Sequence, residues 1–171
     1  MKIAIASDHA GFACKQQVGE MLRKAGHEVL DLGTRDERPV DYPDYGFAVG
    51  EAVAEGRAER GIVVCGSSLG IAIAANKVRG VRAAPVSEPL SAELARRHND
   101  ANVLALSERL TGWEMIERLV QVFLETPFEG GRHARRVEKL NAYGESERRK
   151  ALEDVRRGVV DGAQTPTELL R

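Results

Sequence analysis

The stretch Gly61-Ile62-Val63-Val64-Cys65-Gly66-Ser67-Ser68-Leu69-Gly70-Ile71-Ala72-Ile73-Ala74-Ala75-Asn76-Lys77 decides the fold. It opens with a short apolar run rich in β-branched residues, the composition of a strand buried on both faces. Glycine and serine follow, the chemistry of a tight turn. An alanine-rich segment then runs to Lys77 with helical composition. A buried strand, a glycine-rich turn and a helix start are thus consecutive. This arrangement aims backbone N–H groups at the open end of the strand, where an anion can sit. The last strand residue is Cys65, and a thiol beside those donors can act as a base or nucleophile. The competing reading of Cys65 is a small buried apolar filler, a common fate of free cysteine.

The same alternation extends in both directions. Residues Lys2–Ala6, Glu28–Leu32, Val81–Val86 and Asn102–Leu106 read as further strands beside Gly61–Cys65. Helical patterns cover Gly11–Ala25 (closed by Gly26), Pro43–Gly56, Gly70–Val78, Ser91–His98 with Ser91 as its N-cap, and Gly112–Glu125. Strands alternating with helices of this length predict an α/β domain whose five-stranded parallel sheet is covered on both faces. Ligands in such folds bind beyond the carboxyl ends of the strands. That rule selects Ser7–Gly11, Gly33–Tyr45, Cys65–Gly70, Ser87–Leu90 and Ser107–Gly112.

The totals narrow the class. A chain of 171 residues, 43% hydrophobic and 30% charged, is expected to fold around a real core. A net charge of −1 argues against nucleic acid or an anionic membrane as partner. No run of apolar residues is long enough to span a bilayer. The N-terminal Met1–Ala6 meets polar Ser7-Asp8-His9 too early for a signal peptide. Cys14 and Cys65 make no disulfide framework, so a reducing cytoplasm is the expected compartment. From Arg132 to Arg157 arginine and glutamate interleave, the pattern of a solvated helix. Thr165-Pro166-Thr167-Glu168 has capping-box form ahead of Leu169 and Leu170.

Other residues could carry chemistry. In Ser7-Asp8-His9-Ala10-Gly11, a carboxylate and an imidazole lie in the predicted crevice; Asp8 could equally cap the next helix, with His9 on the surface. In Arg96-Arg97-His98-Asn99-Asp100, His98 can move protons near neutral pH and Asn99 can bind hydroxyls, or the segment is simply a polar helix end. Arg132 and Arg136 are four apart on one helix face, and a phosphate between their forks relieves their repulsion. No metal site is expected, because HExxH and Cys/His ligand spacings are missing. Gly66–Gly70 also matches G-x-S-x-G, with Asp100 and His133 following Ser68 in hydrolase order. However, the chain is short for that sheet and lacks an HGGG-type segment.

Taken in order, Ser7–Gly11, Asp41-Tyr42-Pro43, Cys65–Ile71, Ala74–Lys77, Arg96–Leu104 and Glu129-Gly130-Gly131-Arg132-His133 resemble the ribose-5-phosphate isomerase B family. That family also contains galactose-6-phosphate isomerase subunits and allose-6-phosphate isomerases. The resemblance covers residues 1–145 as one sugar-phosphate isomerase domain, leaving 146–171 as a charged, partly helical extension. It implies a three-layer α/β/α Rossmann-like domain and a cofactor-free aldose–ketose isomerase of the non-oxidative pentose phosphate pathway. It also implies a homodimer or tetramer whose sites draw on two subunits. Cys65 matches the base that moves a proton between C2 and C1, and Ser67 a residue handling the substrate oxygens. The backbone of Gly66, Ser68 and Gly70 matches the hole for the enediolate. His98 matches the group that opens the furanose ring, with Asp8 nearby. Asn99 and Tyr42 match sugar contacts, and His9, Arg109, Arg132 and Arg136 the phosphate clamp. One branch of the family places a glutamate base after the final glycine of the turn. Ile71 stands there, so this chain resembles the cysteine branch. Ser68 stands where many members have glycine. Six-carbon sugar phosphates remain the rival substrates, and a non-catalytic sugar-phosphate-binding protein the rival class.

Overall fold

The computed structural model describes residues 1–143 and, beyond them, 149, 150, 153, 154 and 157. The capping box at 165–168 lies outside the described residues. Two compact units divide the chain, Met1–Ala134 and Arg135–Arg171.

The first unit alternates strand and helix throughout: β1 (Lys2–Ser7), α1 (Phe12–Lys24), β2 (Glu28–Asp31), α2 (Tyr42–Ala54), β3 (Arg60–Cys65), α3 (Leu69–Lys77), β4 (Ala83–Pro85), α4 (Pro89–Asn99), β5 (Val103–Ser107) and α5 (Trp113–Glu125). A last helix, α6 (Arg132–Ala142), starts in this unit and continues into the second. The strands form one parallel sheet in the order β2-β1-β3-β5-β4. From β1 the chain winds first toward β2, then back across to β3, so the strand order reverses beside the β1/β3 pair. That is where parallel sheets open a ligand crevice.

The two faces of the sheet pack differently. On one, Ile3, Ile5, Ile62, Val64, Leu104 and Leu106 meet Val18, Leu22, Leu119 and Phe123 of α1 and α5. On the other, smaller residues (Ala4, Ala6, Val63, Cys65, Val103, Ala105) meet Val49, Ala52, Ile71 and Ala75 of α2 and α3. Small residues let these two helices approach closely. A Cβ on Gly46 would lie 2.8 Å from the Ala74 Cβ and 2.8 Å from the Ile71 carbonyl oxygen. An alanine there would cost about 1–3 kcal/mol through overpacking. This tight contact holds the start of α3, and hence the turn before it, against α2.

Two expectations change. Ser91 is not the cap of α4: the Glu88 carboxylate accepts the N–H groups of Leu90 (2.9 Å) and Ser91 (2.7 Å). Pro89 then occupies the first turn, where a missing N–H costs nothing. The fourth strand is also shorter than Val81–Val86, because the Asn102 side chain takes over its first rungs. Asn102 Oδ1 accepts the Arg82 N–H (2.8 Å) and Nδ2 donates to the Gly80 carbonyl (2.8 Å). Asn76 pairs with both backbone groups of Ala83 in the same way, which accounts for the Ala74–Lys77 motif.

Candidate active site

The turn after β3 is built as its composition predicts. Cys65 ends the strand and is 4% exposed. Ser68 caps α3 in the left-handed region (φ 66°), and its hydroxyl donates to the Ser67 carbonyl. Glycine suits this conformation better than serine does, since an L side chain there costs about 1–2 kcal/mol.

Side chains from other elements stand on the turn. A Cβ on Gly70 would fall 2.7 Å from the Tyr42 ring, and one on Gly66 would fall 3.3 Å from Arg109 Nε. Close approach therefore excludes a side chain at Gly70, whereas at Gly66 the Arg109 side chain would have to give by a few tenths of an ångström. The segment after β5 also grips the turn. The N–H groups of Glu108 and Arg109 donate to the carbonyls of Cys65 (3.0 Å) and Gly66 (3.1 Å). The Ser107 hydroxyl adds a bond to the Gly66 carbonyl (2.7 Å). Composition gave no sign of Ser107, although it begins one of the selected crevice segments.

Across the crevice, the Asp8 N–H donates to the Val64 carbonyl (3.2 Å), and Asp8 Oδ1 accepts the Gly11 N–H (3.0 Å) at the entry to α1. Gly11 has no room for a side chain, with a Cβ 2.7 Å from the Val64 carbonyl oxygen. His9 is half-buried, its Nδ1 3.2 Å from both the N and the O of Val40. Lys15, buried beneath, binds both Asp31 oxygens (2.7 and 2.8 Å) and the Thr34 carbonyl (2.8 Å). It thereby anchors the loop that carries Val40 and leads to Tyr42. Burial, with the Glu108 carboxylate beside it, pushes the Cys14 thiol up to about 12. Cys14 is thus a protonated core residue, whereas Cys65 ends at the turn.

His98 and Asn99 lie elsewhere. They close α4, which runs back along the sheet, so they sit at the amino ends of the strands. Asn102, three residues beyond Asn99, accepts on its carbonyl the N–H of Gly61, at the start of β3 (2.9 Å). From Gly61 to Cys65 the strand rises about 13 Å at ~3.3 Å per residue. Within one chain, Cys65, Ser67, Asp8, His9, Tyr42 and Arg109 gather at one end of the sheet, and His98, Asn99 and Arg132 at the other. Arg136 falls in the second unit.

The second group has its own order. The His98 ring stacks on His133 with centroids 4.2 Å apart and planes 4° from parallel. Glu129 Oε2 is 3.9 Å from His98 Nε2 and is held by Arg97 Nη2 (3.0 Å) and Nε (3.2 Å). Those bonds keep the Glu129 carboxyl below the usual carboxylate range. Gly130 and Gly131, both at positive φ, turn the chain into α6 and explain the glycine pair. Donor atoms of His98, Glu129 and His133 lie within 4.8 Å of one another. A metal must lie in the plane of each imidazole it ligates, so parallel stacked rings do not form a chelating pair.

The hydrolase reading fails on placement. Ser68 sits at the carboxyl end of β3, while Asp100 pairs with Arg82 (2.9 Å) and Arg96 (2.8 Å) at the opposite end. Its carboxylate holds two arginines and orients no histidine for Ser68.

Fold and turn define the class: a five-stranded parallel α/β domain whose central strand ends at Cys65 in a glycine-rich turn. The chain belongs to the ribose/galactose isomerase family, which matches residues 3–140. It is 47% identical over 141 residues to ribose-5-phosphate isomerase B of Escherichia coli (strain K12), covering 82% of this chain and 95% of that one. It is 48% identical to a Clostridium thermocellum ribose-5-phosphate isomerase B structure, with a TM-score of 0.84 over 86% of this chain and 99% of the other. The Mycoplasma genitalium enzyme, solved with bound ribulose 5-phosphate, is 42% identical with a TM-score of 0.81, over 84% and 96% of the two chains.

Proposed function

We propose that this protein is a cofactor-free isomerase interconverting D-ribose 5-phosphate and D-ribulose 5-phosphate, within the cytoplasmic pentose phosphate pathway. It works as a homodimer in which each site joins the Cys65 end of one subunit to the His98 end of its partner. One observation carries the reading: the Cys65 turn, roofed by Tyr42 and Arg109, and the His98–Asn99–Arg132 group lie at opposite ends of one chain's sheet. A single chain cannot bring its own pair onto one sugar, but two chains can. The apolar surface beside the turn supports a second copy. Leu69 and Ile73, one helical turn apart on α3, are 57% and 62% exposed, and Tyr42 and Phe47 of α2 are exposed too.

The chemistry follows from the groups. His9 and Arg109 bind the phosphate from one side, Arg132 and Arg136 from the other. Phosphate breaks no bond, but holding it orients the reacting end of the sugar. His98 protonates the ring oxygen as the C1–O bond breaks, and the C1 hydroxyl passes its proton to Asp8 to leave the aldehyde. Asp8 serves the hydroxyls at the crevice, with Asn99 and Tyr42 holding the opened chain. Cys65, as thiolate, takes the proton from C2. The electron pair moves onto C1–O, giving an enediolate held by the N–H groups of the Gly66–Gly70 turn with Ser67. The C2 hydroxyl proton passes to the C1 oxygen as the C2 carbonyl forms, Cys65 returns its proton to C1, and the ketose results.

The test is turnover of ribose 5-phosphate by the purified protein, with Cys65→Ala beside it and allose 6-phosphate and galactose 6-phosphate in parallel. Strong ribose 5-phosphate turnover that is lost in the variant is expected. Turnover confined to a six-carbon sugar would overturn the substrate, and normal turnover by Cys65→Ala would overturn the base.

A further inference from the structure

Cys65 and Gly66 present an unusual pair of carbonyls. Along a regular strand successive carbonyls point to opposite sides. Here both point toward β5: Cys65 accepts from Glu108 N–H, and Gly66 accepts from Arg109 N–H and from the Ser107 hydroxyl. A trans peptide is planar, so its N–H points opposite to its carbonyl. The N–H groups of Gly66 and Ser67 belong to those two peptides. Both are therefore turned away from β5, toward β1 and the crevice where Asp8 sits. Two adjacent N–H groups facing one way make a concave anion site. Their direction is set by what holds the carbonyls behind them.

Ser107 is the side chain that does so. It is 3% exposed and lies level with Cys65 in the β3/β5 register. Its hydroxyl donates to Gly66 and accepts the Leu110 N–H (3.1 Å), so both of its roles are used inside the protein. We infer that Ser107 is a positioning residue: by holding the Gly66 carbonyl it aims the Ser67 N–H at the developing enediolate oxygen. The inference rests on the turn being the enediolate site proposed above.

A donor aimed from behind acts mainly where charge develops, so its loss reaches the transition state more than the ground state. The experiment compares Ser107→Ala, Ser107→Cys and Ser107→Thr with Cys65→Ala. It measures kcat and KM for ribose 5-phosphate, and inhibition by a phosphorylated hydroxamate that mimics the enediolate and by inorganic phosphate. Ser107→Ala should lower kcat about five- to tenfold, the net worth of one hydrogen bond. It should weaken the hydroxamate by the same factor and leave KM and phosphate inhibition alone. Ser107→Cys, a near-isosteric weak donor, moves the same way if the alanine variant folds poorly. Ser107→Thr, which keeps the hydroxyl, regains the hydroxamate affinity. Unchanged hydroxamate affinity in the alanine and cysteine variants would overturn the inference, as would an equal loss for phosphate. If Cys65→Ala turned over normally, the isomerase reading itself would fall; an inactive Cys65→Ala beside an unaffected Ser107→Ala would sink only the aiming role.

Discussion

Cys65→Ala and His98→Ala should each be nearly inactive alone and should rescue each other when mixed. The two residues occupy opposite ends of the sheet, separated by at least the ~13 Å rise from Gly61 to Cys65. Acid/base groups must come within about 3 Å of the protons they move. A dimer site that takes one residue from each chain avoids the conflict. The recovery then has a defined size. Random reassembly of equal amounts makes half the dimers mixed, and each mixed dimer has one site with both residues intact and one with neither. Activity should therefore return to about a quarter of wild type for a two-fold dimer, with pairs of such dimers giving the same value. Each variant alone should lose about two to four orders of magnitude, the usual worth of a general acid or base. The assay is ribose 5-phosphate turnover after the variants are unfolded together and refolded, with differently tagged chains to count mixed dimers. Mixed dimers without recovery would refute the shared site and require one chain to supply both residues.

Other consequences are independent of that one. Ser68→Gly should stabilise the protein by about 0.5–1 kcal/mol, since the left-handed cost at φ 66° outweighs the added freedom of the unfolded chain. Denaturant melts read this, and a loss would mean that the hydroxyl bond to Ser67 matters more. The folded value of Cys14, about 12, lies above the ordinary thiol value of 9.0. Between those values the unfolded chain releases a proton that the folded chain keeps, so stability falls with rising pH by up to about 1.4 kcal/mol per unit. Cys14→Ala should flatten that alkaline slope in melts between pH 8 and 11; an unchanged slope would assign it to another group. Asp100→Ala removes the carboxylate that the buried guanidinium of Arg96 and the largely buried one of Arg82 share, leaving them to backbone carbonyls, and should cost about 3 kcal/mol. A loss below about 1 kcal/mol would show that water reaches these arginines. Cys14 and Cys65 are equally buried, but burial beside Glu108 holds Cys14 protonated. Brief alkylation followed by peptide mapping should therefore label Cys65 and spare Cys14, with substrate protecting Cys65; equal labelling would contradict the raised value of Cys14.

Much of this molecule is written in local pattern. The run Gly61–Val64 is apolar at every position because both faces of β3 are covered. Gly70 is glycine because the Tyr42 ring lies on it. Gly26, Gly130 and Gly131 mark positive-φ turns. In each case the physical cause acts within a few residues, through backbone sterics or the burial of one strand. The clustering of Asp8, His9, Tyr42 and Arg109 around Cys65 was legible for the same reason, since every parallel strand delivers its following loop to the same end.

The same rule places His98 away from that cluster. A residue closing the helix before a strand must lie at the strand's amino end, which already separates His98 from Cys65. Motif order along the chain hides this, because nearness in sequence says nothing about which end of the sheet a helix terminus reaches. The sequence by itself determined the alternation of strands and helices, the glycine-rich turn after β3 and the family. Tertiary structure alone decided the insertion of β5 between β3 and β4, the Ser107 bond across that pair and the stacking of His98 on His133. Each of these depends on contacts between distant segments, and their geometry exists only once the whole sheet is assembled.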